Sequence, residues 1–143
     1  MAKRPHRRSS ALLIVPVLLL LAGCTDATPN GTPVDVTLKD FSMTPGEQTV
    51  RAGDIVFHVS NQAPVTHEFV VVRTDLPADE LPIGPDGLSV NEEWLSGMGE
   101  IDEVPATHTG TLALTLPPGH YVFFCNLEGH YLGGMHGVLE VTS

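Results

Sequence analysis

The sequence predicts an all-β fold, a β-sandwich or barrel built from short strands. Three observations lead to this prediction. Apolar and polar residues alternate with a period of two in several short segments, turns with Pro and Gly separate these segments, and no long amphipathic helical pattern lies between them. At 143 residues the chain has room for one such domain and an N-terminal tail.

Each expected strand has its own pattern. Val34, Val36 and Leu38 lie on one face of the first strand. The run from Phe69 to Val72 is apolar on both faces, and the aromatic segment before Cys125 is expected to be buried. The strands are expected at residues 34–39, 49–52, 55–61, 67–74, 109–116, 120–126 and 137–141.

The segment from Leu76 to Thr107 interrupts the strand pattern. It holds eight acidic residues, no Lys or Arg, and several Pro and Gly residues. The sequence from Ser89 to Glu92 matches a capping box, so we expect a short helix over residues 90–97, held against the body by Trp94. The rest is expected to be a solvated connection between strands, and a substrate-binding role is the alternative.

The N-terminus has the pattern of a secretory signal. Four basic residues precede an apolar run from Ala11 to Ala22, which is too short to span a bilayer as a helix. The run ends in Leu-Ala-Gly-Cys24, which resembles the signal of a bacterial lipoprotein. This resemblance implies cleavage before Cys24 and lipidation of this cysteine. Simple cleavage near Ala22, with Cys24 free, is an alternative, and a twin-arginine export route is left open.

These features divide the chain into a signal peptide at residues 1–23, a flexible tether at residues 24–33 and a domain at residues 34–143. We therefore expect an exported protein, lipid-anchored at the periplasmic or extracellular face of a membrane. Removal of the signal leaves three basic residues against 17 acidic ones, which is a formal charge of −14. Such a domain is a poor ligand for nucleic acid and favours protein partners with a basic face. A monomer is expected.

One segment near the C-terminus carries most of the candidate chemistry. An expected buried strand leads into Cys125, and a Gly-rich loop then places His130 and Met135 close by in sequence. If Cys24 carries a lipid, Cys125 has no disulfide partner and is either an inert buried thiol or a metal ligand. Thiolate, imidazole and thioether donors together suit copper. His67, which opens another strand, is the best candidate for a second imidazole.

The sequence around these residues resembles the cupredoxins, the small blue copper proteins of the plastocyanin and azurin kind. The matching motifs are Cys125-x4-His130-x4-Met135, the preceding Pro-Pro-Gly-x-Tyr-x-Phe-Phe, and Asn61-x5-His67. The resemblance implies a Greek-key β-sandwich or barrel that binds one type 1 copper ion. His67, Cys125 and His130 would bind this ion in a near-plane, with Met135 as the axial ligand.

The resemblance also implies an electron carrier that cycles one copper ion between Cu(I) and Cu(II). Its partners would be redox proteins, such as a cytochrome, an oxidase or a reductase. His130 is expected to lie nearest the surface as the exit for electrons, in a docking patch that includes Gly133 and Gly134. The alternative function is a copper chaperone or copper-sequestering protein. An enzyme is not expected, because the chain has room for one domain and lacks a second, His-x-His copper motif.

Three residues near the expected site have open roles. Glu68 stands where better-known cupredoxins often carry an Asn or Ser that braces the Cys loop, and it either hydrogen-bonds to backbone or faces solvent. His136 could compete with Met135 as a ligand, but its neighbouring position on a strand predicts that it points to the opposite side. His120 lies in a turn and is expected at the surface.

Overall fold

The computed structural model describes residues 30–46 and 48–143. In these ranges the chain forms nine β-strands, and its only helix is a single 3-10 turn at Glu92–Trp94. The predicted all-β fold is therefore confirmed. The strands are β1 (Thr32–Lys39), β2 (Ser42–Pro45), β3 (Thr49–Arg51), β4 (Gly53–Asn61), β5 (His67–Arg73), β6 (Ser96–Val104), β7 (Thr109–Leu116), β8 (Gly119–Phe124) and β9 (His136–Thr142).

The strands form two sheets, one in the order β2-β1-β4-β7 and the other in the order β3-β9-β8-β5-β6. β1 pairs with β4 and β3 with β9 in parallel, whereas the other pairs are antiparallel. Parallel neighbours need crossover connections, so the chain passes repeatedly from one sheet to the other. Residues of both sheets enclose one hydrophobic core.

Three phenylalanines join the two sheets at the centre of this core. The ring of Phe69 lies 5.4 Å from that of Phe57 and 5.5 Å from that of Phe123, measured between centroids. Phe57 belongs to β4 in one sheet, and the other two belong to β5 and β8 in the second sheet. Side chains two residues apart on a strand share a face. The alternation that buries Phe69 and Phe123 therefore also turns His67 and Cys125 inward.

The segment between β5 and β7 is more structured than predicted. Residues 96–104 form β6, an edge strand paired with β5. Residues 76–95, called the cover segment below, lie on the outer face of the same sheet and enclose a second hydrophobic cluster with it. The prediction of a solvated connection is wrong, and the cover segment explains why β5 and β8 are apolar on both faces. The buried members of this cluster are Val70, Val72, Leu81, Val90, Val122, Phe124 and Tyr131.

The expected helix over residues 90–97 is reduced to the single 3-10 turn, which begins without a side-chain cap. Val90 is held in an extended conformation instead, by a β-bridge to Ile83 and by hydrogen bonds with the side chain of Asn126. Trp94, predicted to pack against the body, is 73% exposed. A helix of one turn has no buried face here, so the apolar anchors of the cover segment lie outside it.

The predicted signal peptide, Cys24 and most of the predicted tether lie outside the described residues, and their expected roles stay predictions. β1 begins at Thr32, two residues before the predicted boundary of the domain. Within the part of the chain that the structure describes, there is no helix long and apolar enough to cross a membrane.

Candidate metal centre

The structure brings three of the predicted ligand side chains to one point. His67 is the first residue of β5, Cys125 directly follows β8, and His130 lies in the loop between β8 and β9, called the ligand loop below (residues 125–135). The Nδ1 atoms of His67 and His130 are 3.2 Å apart. The Sγ atom of Cys125 lies 3.4 Å from Nδ1 of His130 and 3.9 Å from Nδ1 of His67. These are the residues that could share one metal ion.

Met135, the fourth predicted ligand, closes the ligand loop. Its backbone carbonyl accepts a 3.1 Å hydrogen bond from the N–H of Cys125, so the two ends of the loop meet. Its side chain is fully buried and lines a cavity of about 240 Å³ together with His67 and His130. The residue before it, Gly134, has a φ of 106°, a backbone conformation that residues other than glycine rarely adopt. This glycine permits the turn that returns Met135 to the centre.

The spacing of the three donor atoms fits a first-row metal ion. In zinc sites, metal–nitrogen bonds are about 2.0 Å and metal–sulfur bonds about 2.3 Å. Trigonal angles with these lengths separate two nitrogens by roughly 3.5 Å and a nitrogen from a sulfur by roughly 3.7 Å. The observed separations of 3.2, 3.4 and 3.9 Å agree with such an arrangement. Two histidines, one cysteine and a weak axial methionine are the donor set of blue copper sites.

The thiol of Cys125 lies in a setting that controls its ionisation. It is fully buried and forms no disulfide with any residue that the structure describes. Burial raises its pKa, and the carboxylate of Glu68 adds to this effect, whereas backbone N–H groups of Glu68 and Leu127 favour the thiolate. The N–H of Glu68 lies 3.3 Å from Sγ. In metal-free protein the thiol is therefore protonated at neutral pH, and the N–H is already placed to stabilise a bound thiolate.

Glu68 contacts the first residue of the ligand loop through its backbone. Its backbone N–H donates to Sγ of Cys125. Burial and the nearby carboxylate of Glu92 raise the pKa of Glu68. The N–H contact to sulfur is a main-chain interaction, so the identity of residue 68 gave no signal for it.

Burial also controls the ionisation of His67. Its pKa is lowered by burial and by the neighbouring His130, while Asp40 opposes this shift. Its Nε2 atom is buried and has no hydrogen-bond partner among the described residues. An imidazolium at this position would bury a charge without a partner, which is unfavourable. At neutral pH His67 is therefore neutral and ready to donate the Nδ1 lone pair to a metal ion.

Copper binding to metal-free protein is expected to strengthen as the pH rises. Because burial raises the pKa of Cys125, binding must release the thiol proton over roughly pH 7 to 9. His67, whose pKa is lowered, is already neutral there and releases none. The apparent affinity should rise about tenfold per pH unit and level off above the pKa of Cys125. Competition with a Cu(I) chelator at a series of pH values measures this slope, and an affinity independent of pH would show that the thiol is already ionised.

The two remaining histidines of interest lie away from this centre. The ring of His136 packs 5.3 Å from that of Tyr131, on the side of the second hydrophobic cluster, as predicted from its position after Met135. His120 lies at the start of β8, whereas Cys125 follows the end of that strand. Its side chain, 24% exposed, contacts the carbonyl of Thr74 and lies 3.6 Å from a carboxylate oxygen of Glu140. Both histidines are engaged elsewhere.

Known proteins share this fold. Dithionite-reduced auracyanin from the photosynthetic bacterium Roseiflexus castenholzii is 24% identical with a TM-score of 0.60, and the match covers 80% of this chain and 100% of that one. Auracyanin A of Chloroflexus aurantiacus, described as a "blue" copper protein, is 22% identical with a TM-score of 0.55 and coverages of 77% and 99%. An azurin of Methylomonas sp. strain J is 14% identical with a TM-score of 0.55 and coverages of 80% and 100%.

At these identities the solved structures establish a common fold and nothing further. No protein in a comparison with curated sequences matches significantly. The sequence profile of the cupredoxin-like domain, in contrast, matches residues 11–141 and therefore most of the chain. The strand topology, the three converging side chains and this match agree, and the chain belongs to the cupredoxin-like domain family.

Proposed function

We propose that this protein is an electron carrier that holds one type 1 copper ion between His67, Cys125, His130 and Met135. The observation that carries this proposal is the convergence of one thiol and two imidazole Nδ1 atoms, all within 4.8 Å of one another, from β5 and from the distant ligand loop. Auracyanin A, a solved structure with this fold, is described as a "blue" copper protein. When bound, copper supplies a one-electron couple between Cu(I) and Cu(II).

The side chains are placed to hold the ion in one geometry through both oxidation states. His67, Cys125 and Met135 are at most 1% exposed, so water has little access to three of the four donors. The five-stranded sheet fixes His67 and the two ends of the ligand loop, because each adjoins one of its strands β5, β8 and β9. A site fixed in this way rearranges little when an electron arrives or leaves. Little rearrangement favours fast electron transfer.

The proposed exit for electrons is His130, the ligand that is partly exposed. Phe41 and Val65, which are 63% and 48% exposed, line the cavity beside it, and Leu132, 54% exposed, follows it in the ligand loop. Phe41 has a φ of 58°, which is strained for a bulky residue. Its ring packs directly on Gly133, where a side chain would not fit, because a Cβ atom on residue 133 would lie 2.3 Å from the ring. Strain of this kind is concentrated at functional sites, which supports a docking role for this apolar surface.

The proposed partner is a redox protein with a basic face around its own electron entry site. The domain that remains after removal of the predicted signal has a formal charge of −14. Opposite charge on the partner would speed encounter and orient it, and the apolar surface around His130 would complete a small, short-lived contact. A carrier needs such a contact because it must leave after each transfer.

Copper titration of the full chain in detergent micelles tests the function. After one equivalent of Cu(II), we expect intense visible absorption from thiolate-to-copper charge transfer and an EPR signal with a small parallel hyperfine splitting. Repeated reduction and oxidation should leave the metal bound. A pale solution with an ordinary tetragonal signal would contradict the type 1 site. Loss of copper on reduction would favour a copper chaperone over a carrier.

Replacement of Met135 by leucine is expected to keep the blue colour and raise the reduction potential. The two side chains have similar volumes, so the buried site should tolerate the change, but leucine offers no donor to Cu(II). Loss of about 1.4 kcal/mol of selective Cu(II) stabilisation corresponds to a rise of about 60 mV. Protein-film voltammetry measures the shift. Met43→Leu, in a core position on β2, is the control with an unchanged potential, and an unchanged potential for both variants would contradict axial ligation by Met135.

We further propose that the mature protein begins at Cys24 and is anchored by a lipid on the outer side of a membrane. The basic and apolar signal pattern before Leu-Ala-Gly-Cys24 supports this proposal. Mass spectrometry of the N-terminal peptide from the native host should find Cys24 as the first residue with attached acyl chains. An unmodified Cys24, or cleavage at another residue, would contradict the anchor.

A further inference from the structure

The ligand loop is tied to the cover segment at three places. The side chain of Asn126 accepts a 2.7 Å hydrogen bond from the N–H of Val90 and donates a 3.2 Å hydrogen bond to its carbonyl. The N–H of Gly129 donates to the carbonyl of Leu88 over 3.0 Å. The hydroxyl of Tyr131 makes the third tie, to residues 78 and 81. The cover segment and the ligand loop are therefore one connected unit, although they are distant in sequence.

Tyr131 makes the most buried of these ties. Its side chain is 3% exposed, and its hydroxyl donates a 2.8 Å hydrogen bond to the carbonyl of Ala78 and accepts a 2.8 Å hydrogen bond from the N–H of Leu81. Its ring meets Phe124 edge-on, with 5.9 Å between the centroids. Both hydrogen-bonding functions of the hydroxyl are satisfied away from water, where such bonds are strongest.

His130 depends on this unit more than the other ligands do. His67 begins β5, Cys125 follows β8 and Met135 precedes β9, so each is held by a strand. His130 lies in the middle of the ligand loop, where its own backbone bonds are local ones, to Leu127, Gly133 and Met135. Its neighbour Tyr131 is the residue that joins this part of the loop to the rest of the protein by buried side-chain contacts.

We propose that Tyr131 is a positioning residue, which uses the cover segment to fix the ligand loop and with it the outward-facing imidazole of His130. The cover segment thus serves as a support for the metal centre. The effect of Tyr131 on copper binding rests on the proposed function. Its effect on the ligand loop, in contrast, exists in metal-free protein as well. The hydroxyl of Tyr131 limits local opening of the loop, because each opening must break its two buried hydrogen bonds.

The substitution Tyr131→Phe tests this role, with Tyr121→Phe as the matched control. Tyr121, on β8, is also buried, and its hydroxyl donates a 2.7 Å hydrogen bond to the carbonyl of Pro117. That bond lies at the other end of β8, away from the cover segment. Each substitution removes one hydroxyl and keeps the ring. The difference between the two variants therefore isolates the tie between loop and cover segment.

Amide hydrogen exchange of the metal-free full chain is the first measurement. In Tyr131→Phe, exchange should become roughly tenfold faster or more in residues 126–135 and 78–91, since two buried hydrogen bonds no longer oppose local opening. Exchange in β1 and β4 should be unchanged. Tyr121→Phe should leave the ligand loop as protected as in the wild type. Asn126→Ala, which removes another tie, should reproduce the loop effect.

Copper supplies the second measurement. Loaded Tyr131→Phe protein should keep the visible band, lose copper to a chelator several-fold faster and show an altered EPR hyperfine splitting, none of which Tyr121→Phe should do. Exchange that rises equally in all strands, or equally in both variants, would overturn the positioning role and leave only a contribution to overall stability. If the wild type binds no copper, the proposed function fails, and the exchange data alone still decide the role of Tyr131.

Discussion

The substitution Cys125→Ser is expected to abolish the intense visible absorption of the copper-loaded protein while the β-sandwich stays folded. The absorption requires charge transfer from a thiolate, and a serine hydroxyl does not ionise near neutral pH. The site is fully buried, and the N–H of Glu68 that contacts sulfur can donate to an oxygen instead. The cost of burying the hydroxyl should therefore be small, about 1 kcal/mol. A visible spectrum at a fixed copper ratio and a far-UV circular dichroism spectrum give the two results.

The second cysteine of the sequence provides the matched control. Cys24→Ser replaces the cysteine at the predicted lipid site, outside the predicted domain of residues 34–143, and should keep the visible band at full intensity. An undiminished band in Cys125→Ser protein would rule out Cys125 as the thiolate ligand. Loss of the band in both variants, with folding preserved, would contradict the assignment of the two cysteines to separate roles.

Phe69→Ala is expected to lower the free energy of unfolding by about 3 to 5 kcal/mol. Phe69 has no exposed surface and contacts Phe57 of the facing sheet and Phe123 of its own sheet. Its removal leaves a cavity where the two sheets meet, and the β-strand neighbours on all sides prevent the cavity from closing. The loss is a large part of the stability of a typical domain. Chemical denaturation of metal-free protein, followed by circular dichroism, measures it.

Trp94→Ala is the control for this prediction, because it removes an even larger aromatic side chain that is 73% exposed. Its effect should stay within about 0.5 kcal/mol. We also expect Phe69→Ala to weaken copper retention, since Phe69 is two residues from His67 on the same strand face. Equal destabilisation by the two substitutions would contradict the description of Phe69 as the contact between the sheets.

The sequence predicts those features that depend on local pattern. Alternation in Val34, Val36 and Leu38 predicts β1, and the same alternation predicts β4 and β7 close to their observed bounds. Three of the candidate ligands could be selected because Cys125 and the Gly-rich loop after it have a distinctive spacing, and His67 because it opens another strand. The structure then brings the selected side chains together, and their binding of copper stays a prediction.

The features that the sequence did not predict depend on contacts between distant residues. β6 has no regular apolar alternation and is rich in acidic residues, because it is an edge strand whose side chains are mostly exposed. The predicted helix over residues 90–97 is reduced to one 3-10 turn, because Asn126 holds the backbone of Val90 in an extended conformation. The N–H of Glu68 reaches sulfur only once β5 and β8 are paired. None of these interactions leaves a periodic or compositional signal.

The parallel pairing of β3 with β9 determines when the metal centre can form during folding. It joins Val50 to Val141, while β9 also pairs along its length with β8, the strand that leads to Cys125. Pairings so remote in sequence carry a large loop-closure entropy, and chains dominated by them fold in milliseconds to seconds. A nascent chain ending at residue 135 would contain all four ligand side chains and yet lack the strand that completes the sheet. Copper capture should therefore report completion of the whole domain, and a C-terminal truncation that removes β9 should abolish it.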